Sequence, residues 1–233
     1  MSFYQRLQES TRTEQQYLLA APIIQRCFQG DFELDDYVSF LMQAYHHVKH
    51  TVPLLMNVGA RLPEQKEWLR LAVAEYIEEE LGHQEWILSD IAVCGFDKEI
   101  ARLLPPLPAT ELMVAYAYDL VNRVNPLGFF GMVHVLEGTS INIADKAADA
   151  IRAKLGLPRN AFTYLYSHGA LDQDHVKFFQ QLMDRIDDAG EQDLIIHSAR
   201  MFYTLYGDIF RSLKPEHHIP KYSEAEVPNA VAG

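Results

Sequence analysis

The stretch SHGALDQDH, residues 167–175, sets His168, Asp172 and His175 at positions i, i+4 and i+7, so on a helix two imidazoles and a carboxylate share one face. Donors of this mix suit a divalent transition metal of intermediate softness, iron, manganese or zinc, better than calcium or magnesium. A satisfied core network, or a polar face arrived at by chance, would also account for the triad if it stood alone.

It does not stand alone. In EYIEEELGHQEW, residues 75–86, Glu80 and His83 are three apart and neighbours on a helix surface, and one helical turn lets a carboxylate and an imidazole reach the same ion. Glu79, four before His83, serves as well by spacing, and an EEE run is commonly a solvated face. The apolar neighbours Ile77, Leu81, Trp86 and Ile87 argue that one side of this helix is buried. In GFFGMVHVLEGTS, residues 128–140, Glu137 is a carboxylate inside a strongly apolar segment. Burial of its charge costs several kcal/mol unless a metal or a cation such as Arg123 compensates. His134, one turn earlier, reads as a core histidine more readily than as a group supporting a ligand. Gly128, Gly131 and Gly138 would let another backbone or a ligand come close.

The surrounding pattern is helical almost throughout, with Gly and Pro confined to a few breaks. The expected helices cover about 2–20, 22–27, 35–58, 64–93, 110–123, 127–155, 160–189 and 191–213, with a kink at Asn125-Pro126. This is one all-α domain, residues 1–213, a bundle of about seven helices, followed by an extended tail at 214–233.

A formal charge of -12 over 233 residues and a pI near 5.2 exclude the basic surface that a nucleic acid or an anionic membrane needs, leaving a small molecule or a protein as partner. Two distant cysteines, Cys27 and Cys94, form neither a disulfide framework nor a zinc knuckle, which fits a reducing cytoplasm. No charged-then-apolar leader and no apolar run of about 18 residues is present, so a soluble, unprocessed protein is expected.

Glu80 with His83, then Glu137, then His168-x-x-x-Asp172-x-x-His175 resembles the pattern of the haem-oxygenase-like di-iron oxidases, relatives of the TenA and pyrroloquinoline-quinone synthase proteins. The Glu-x-x-His spacing is similar to the branch that makes terminal alkenes from medium-chain fatty acids; other branches place the first Glu seven before the His, where this chain has Tyr76. The resemblance spans roughly Ser2 to Leu213 and implies the seven-helix haem-oxygenase-like fold. It also implies two iron ions per chain, with manganese or zinc as substitutes, held by Glu80, His83, Glu137, His168, Asp172 and His175, and reaction of dioxygen with a fatty-acid-like or amino-acid-like substrate. A homodimer is compatible with it. The alternatives are a TenA-like thiamin-salvage or cofactorless enzyme, and a non-catalytic metal- or metabolite-binding protein. The thiaminase-like cysteine of the central helices is lacking here, and so is the paired Gly-Gly of haem oxygenases. His46 and His50 are read as core or cavity wall and His47 as surface. Tyr76, Gln84, Tyr164, Tyr166 and Asp174 are candidates to orient the ligands, and Phe129, Phe130, Met132, Phe178, Phe179 and Phe202 to line an apolar cavity or form plain core.

Overall fold

The computed structural model describes residues 1–169 and 173–213, and of these every side chain except those of 168, 169 and 173–175. Every described element is helical: α1 Phe3–Ser10, α2 Arg12–Leu19, α3 Pro22–Gln29, α4 Leu34–Val48, α5 Thr51–Arg61, α6 Glu67–Glu80, α7 His83–Val93, α8 Lys98–Leu103, α9 Pro108–Asp119, α10 Phe129–Leu155, α11 Thr163–Gly169, α12 Gln173–Asp184 and α13 Ala189–Ser212. The expected tail, residues 214–233, lies outside the described residues.

Local chemistry sets many of these boundaries. Ser2 and Gln5 close a capping box on α1, Asp97 and Asp188 accept backbone N–H groups at the starts of α8 and α13, and Pro22 and Pro108 occupy first turns. The expected spans contain breaks that apolar periodicity does not reveal. Thr11 divides α1 from α2, Lys49 and His50 divide α4 from α5, and Leu81 and Gly82 divide α6 from α7. The stretch before Asn125-Pro126 ends in a π-turn, Leu120–Val124.

The long helices α10 and α13 form the axis of the bundle, with α11 against the first and α2 and α9 against the second, while α4 packs on α7 and α9. Gly131 makes the central crossing: a Cβ there would stand 2.6 Å from the backbone nitrogen of Ala199, so only glycine lets α10 approach α13 this closely. Gly128 faces the Leu120 side chain instead, and a Cβ at Gly138 would have only ordinary contacts. In α4 twelve of fifteen residues are buried, among them Asp36, Gln43, His46 and His47, so this helix has no solvent stripe and runs through the core.

Candidate functional site

The break at Leu81–Gly82 shapes the acidic run. Glu80 is the last residue of α6 and His83 the first of α7, and Gly82 joins them at φ +90°, a conformation that favours glycine. The pair is therefore set by a tight turn rather than by one continuous helix. His83 Nδ1 stands 3.0 Å from Glu80 Oε2, and the imidazole packs on the Trp86 ring at 4.1 Å between centroids. The turn also corrects the expected buried stripe: Ile87 is fully buried, but Leu81 is 60% exposed and Trp86 lies partly at the surface. Within the run Glu78 and Glu79 are exposed, and Glu80 alone lines an internal chamber.

That chamber, with about 610 Å³ of unfilled space, part of it open to solvent, is bounded by α4, α5, α6, α10, α11 and α13. Glu80 and Glu137 both line it, with Tyr76, His47, Tyr164 and Tyr206. Glu137 also lines a second, polar chamber of about 1020 Å³, beside His134, Arg12, Tyr4 and Tyr203. Burial, and then the nearby Glu80 and Glu79 charges, push its carboxyl up to about 8. Arg123, the cation that could have neutralised it, is bound to Asp119 at 2.7 and 2.9 Å on the surface. Two carboxylates lining one chamber without a lysine or arginine on its wall are a donor set suited to a divalent cation.

His168, Asp172 and His175 cannot be placed in this chamber. Asp172 lies outside the described residues, and so do the side chains of His168 and His175; only the backbones of α11 and α12 that carry the histidines are described. Among the described residues no group of three or more His, Cys, Asp or Glu side chains is arranged to hold an ion. Of the six expected ligands, Glu80 and Glu137 line the one chamber, and His83 contacts Glu80 without itself lining the wall.

Two wall residues depart from what the sequence suggests. His47, expected at the surface, is 2% exposed and packs edge-on to Tyr206. Because α4 is buried on all sides, reasoning from an amphipathic stripe misplaces it. Tyr76 is buried against Phe178, and its hydroxyl has no hydrogen-bond partner among the described residues. Burial, then Glu137, raises its phenol well above the ordinary tyrosine range. Tyr166 points elsewhere, donating to Asp149 at 2.7 Å. His134 sits among Tyr4, Phe179 and Tyr203, 3.4 Å from Thr11 Oγ1, and burial lowers it to about 4, so it is a neutral core imidazole on the polar chamber's edge. His46 is buried, and His50 contacts the Tyr118 hydroxyl at 3.1 Å.

Asp90, which sequence reading passes over, ties α7 to α11. Its two oxygens accept the Thr163 and Tyr164 backbone N–H groups at 3.0 and 2.9 Å, capping from another helix the segment that carries His168. Asp90→Ala leaves a buried and a part-buried backbone donor unmet at a cost of about 1–3 kcal/mol. Chemical denaturation should show that loss, and amide exchange should show α11 opening before α10; unchanged exchange in α11 would refute the capping role.

Residues 38–207 match the model of a family described as iron-containing redox enzymes. Among solved structures, the chain is similar to a domain of unknown function with a heme oxygenase-like fold from Shewanella denitrificans, at 24% identity and a TM-score of 0.80, covering 91% of this chain and 92% of that one. It is also similar to a TenA homolog from Pseudomonas syringae, at 11% identity and TM-score 0.76 with 91% of each chain covered, and to heme oxygenase from Leptospira interrogans, at 18% identity and TM-score 0.72 with 91% and 100% covered. At these identities the likeness is one of fold. No curated protein matches the sequence. No described helix is long and apolar enough to cross a membrane.

Proposed function

Since the chain belongs to the family of iron-containing redox enzymes, we propose that it is a non-haem di-iron oxidase or oxygenase, acting with dioxygen on a small organic substrate. The observation that carries this reading is the pair Glu80 and Glu137 on the wall of one chamber, with His83 3.0 Å from Glu80. Ionised together they repel, and a divalent cation held by both would turn that cost into binding energy. Glu80, His83 and Glu137 would supply one part of the ligand set, and His168, Asp172 and His175 the other. Iron, when bound, supplies the electrons that reduce dioxygen. The chain itself orients His83 through Glu80 and Trp86, keeps the chamber walls apolar with Phe129, Met132 and Leu136, and offers the Tyr76 hydroxyl as a hydrogen-bond donor beside the carboxylates.

The rival reading, a thiamin-salvage or cofactorless enzyme, draws on the fold shared with the TenA homolog. A cysteine nucleophile for such chemistry needs an accessible thiolate. Both thiols are buried, which pushes Cys27 up to about 11 and Cys94 to about 12, so the observations favour the iron reading.

Anaerobic titration with Fe(II) tests the proposal. Uptake is expected to level off at about two ions per chain and to weaken in acid, because carboxylates and imidazoles must lose their protons to ligate. Exposure to oxygen should then consume dioxygen faster when substrate is present. No uptake near neutral pH by a folded preparation would end the di-iron reading.

A further inference from the structure

The polar chamber on the other side of Glu137 lies between α1, α2, α10, α12 and α13. Allowing for the thickness of a water-sized ligand against the walls, it has about 400 Å³ of room, against about 60 Å³ in the acidic chamber. A small molecule therefore fits on this side. From α10 come His134, Glu137, Gly138, Ile141 and Asn142, at i, i+3, i+4, i+7 and i+8, one helical stripe about 12 Å long. The chamber has two ends. Gln8, Arg12 and Asn142 are exposed and form its mouth, while His134, Phe179 and Tyr203 are buried and form its floor. Of the residues expected to line an apolar cavity, Phe179 is here, Phe129 and Met132 line the acidic chamber, and Phe130 and Phe202 are fully buried core.

Two observations say what it would hold. The first is a cation without a counter-charge. Every other arginine of the chain has a hydrogen bond, an ion pair or a ring contact, as Arg6 has to Asp193 and Arg185 to the Trp68 ring, whereas Arg12 has none among the described residues. Arg12 shares the wall with Glu137 yet forms no ion pair with it, and neither a lysine nor a second arginine lines the chamber. The uncharged polar groups satisfy one another: Gln8 donates to the Tyr4 hydroxyl at 3.1 Å, Thr11 donates to the Leu7 carbonyl at 2.8 Å, and Gln15 bonds the Tyr203 hydroxyl. What the wall leaves unmet is an anion for the Arg12 fork. The second observation is the floor. His134 and Phe179 stack at 6.1 Å between centroids, and Tyr4 and Tyr203 stand edge-on to His134 at 6.4 and 5.9 Å. Rings joined in this way offer faces and edges to one more ring.

We propose that this chamber binds a small aromatic carboxylate as the substrate, its acid group paired with Arg12 at the mouth and its ring seated on Tyr4, His134, Phe179 and Tyr203. Glu137 belongs to the walls of both chambers, so a ring held here lies across that side chain from the acidic chamber. That the ligand is the substrate rests on the di-iron reading; that it binds does not. The class differs from the fatty-acid-like and amino-acid-like molecules that the resemblance implies. A long alkyl chain would take water from polar walls and return no hydrogen bond. The ammonium group of an amino acid would find one carboxylate on this wall, Glu137, which the metal would claim.

The test uses the full-length, iron-free protein and calorimetric titration with benzoate, benzyl alcohol and hexanoate. Benzoate should bind about tenfold or more tighter than benzyl alcohol, because only the acid pairs with the guanidinium, and severalfold tighter than hexanoate, because only a ring meets the aromatic floor. Arg12→Gln, at an exposed position, should remove the advantage of benzoate over benzyl alcohol and leave the affinity of the alcohol unchanged. Gly138→Leu should abolish binding of all three while melting no lower than the parent. Beyond its own helix, the one atom within 4 Å of a Cβ there is the Tyr203 hydroxyl, at 4.0 Å, and leucine is the better helix former. Should that variant fail to fold, Arg12→Gln decides. Benzoate no tighter than benzyl alcohol, hexanoate equal to benzoate, an Arg12→Gln that keeps the preference, or a folded Gly138→Leu with parental affinity would each overturn the proposal. Because binding is read without iron, a protein that binds benzoate but takes up no Fe(II) keeps this site and ends the di-iron reading, and the converse outcome does the reverse.

Discussion

His83→Ala is expected to hold about half the iron of the parent and to consume dioxygen no faster than the iron-free protein. The reason lies in how the ligands are distributed along the chain. His168 lies on α11 and His175 on α12, but with Asp172 they fall within eight positions of sequence, so only a short stretch of chain separates them and the entropy of bringing them together is small. Glu80 and His83 depend on the Gly82 turn and on the docking of α6 and α7, and in the proposed site they would join members on α10 and beyond. Removing the imidazole also frees Glu80 from its 3.0 Å neighbour and leaves Trp86 without the ring it packs on. One ion should therefore persist at the local triad while the two-ion chemistry stops. Fe(II) counted per folded chain, with oxygen uptake followed electrochemically, gives both readouts. Full two-ion loading with oxygen consumption at the parental rate would remove His83 from the site, whereas loss of both ions would show that the triad does not bind alone.

The fold was legible because nearly every segment carries the same signal. Apolar residues recur at helical spacing, and glycine and proline mark the ends, so the all-α bundle and the order of its elements follow from local pattern. The breaks inside the long spans were not legible. At Thr11, Lys49 and Leu81 the apolar residues keep to the periodicity while the backbone departs from it, and Gly82 looks from sequence alone like a tolerated helical glycine. Glu137 could be found because a lone carboxylate in an apolar segment is conspicuous, and Glu80 because it stands three before a histidine. His47 could not be: in a helix buried on all sides no face is marked as inner, and the residues that make position 47 a chamber wall, Tyr206 and Tyr164, come from distant helices. Asp90 was hidden for the same reason, since its partners, the Thr163 and Tyr164 amides, lie more than seventy residues along the chain.

In the iron-free protein, Glu137→Gln should be more stable than the parent, by a margin that grows with pH. The native carboxyl is pushed up to about 8, above its ordinary value of 4.5, first by burial and then by the Glu80 and Glu79 charges. A group whose native pKa is raised favours folding fully only below its unfolded value. Its contribution falls as pH rises past about 4.5 and is lost once pH has passed about 8. Glutamine has a similar shape and no charge, so the parent and variant should melt together near pH 4 to 5 and separate progressively up to about pH 8. Above that the difference should stay constant, at most on the order of 5 kcal/mol. Adding Fe(II) should reverse the order, because a ligand that binds only the native state stabilises the parent, and glutamine is a poor donor to that ion. Melting curves at a series of pH values, with and without Fe(II), check both halves. A margin that shrinks as pH rises would show that Glu137 is already neutralised by a partner within the protein, and a variant stabilised by Fe(II) as much as the parent would show that Glu137 is not a ligand.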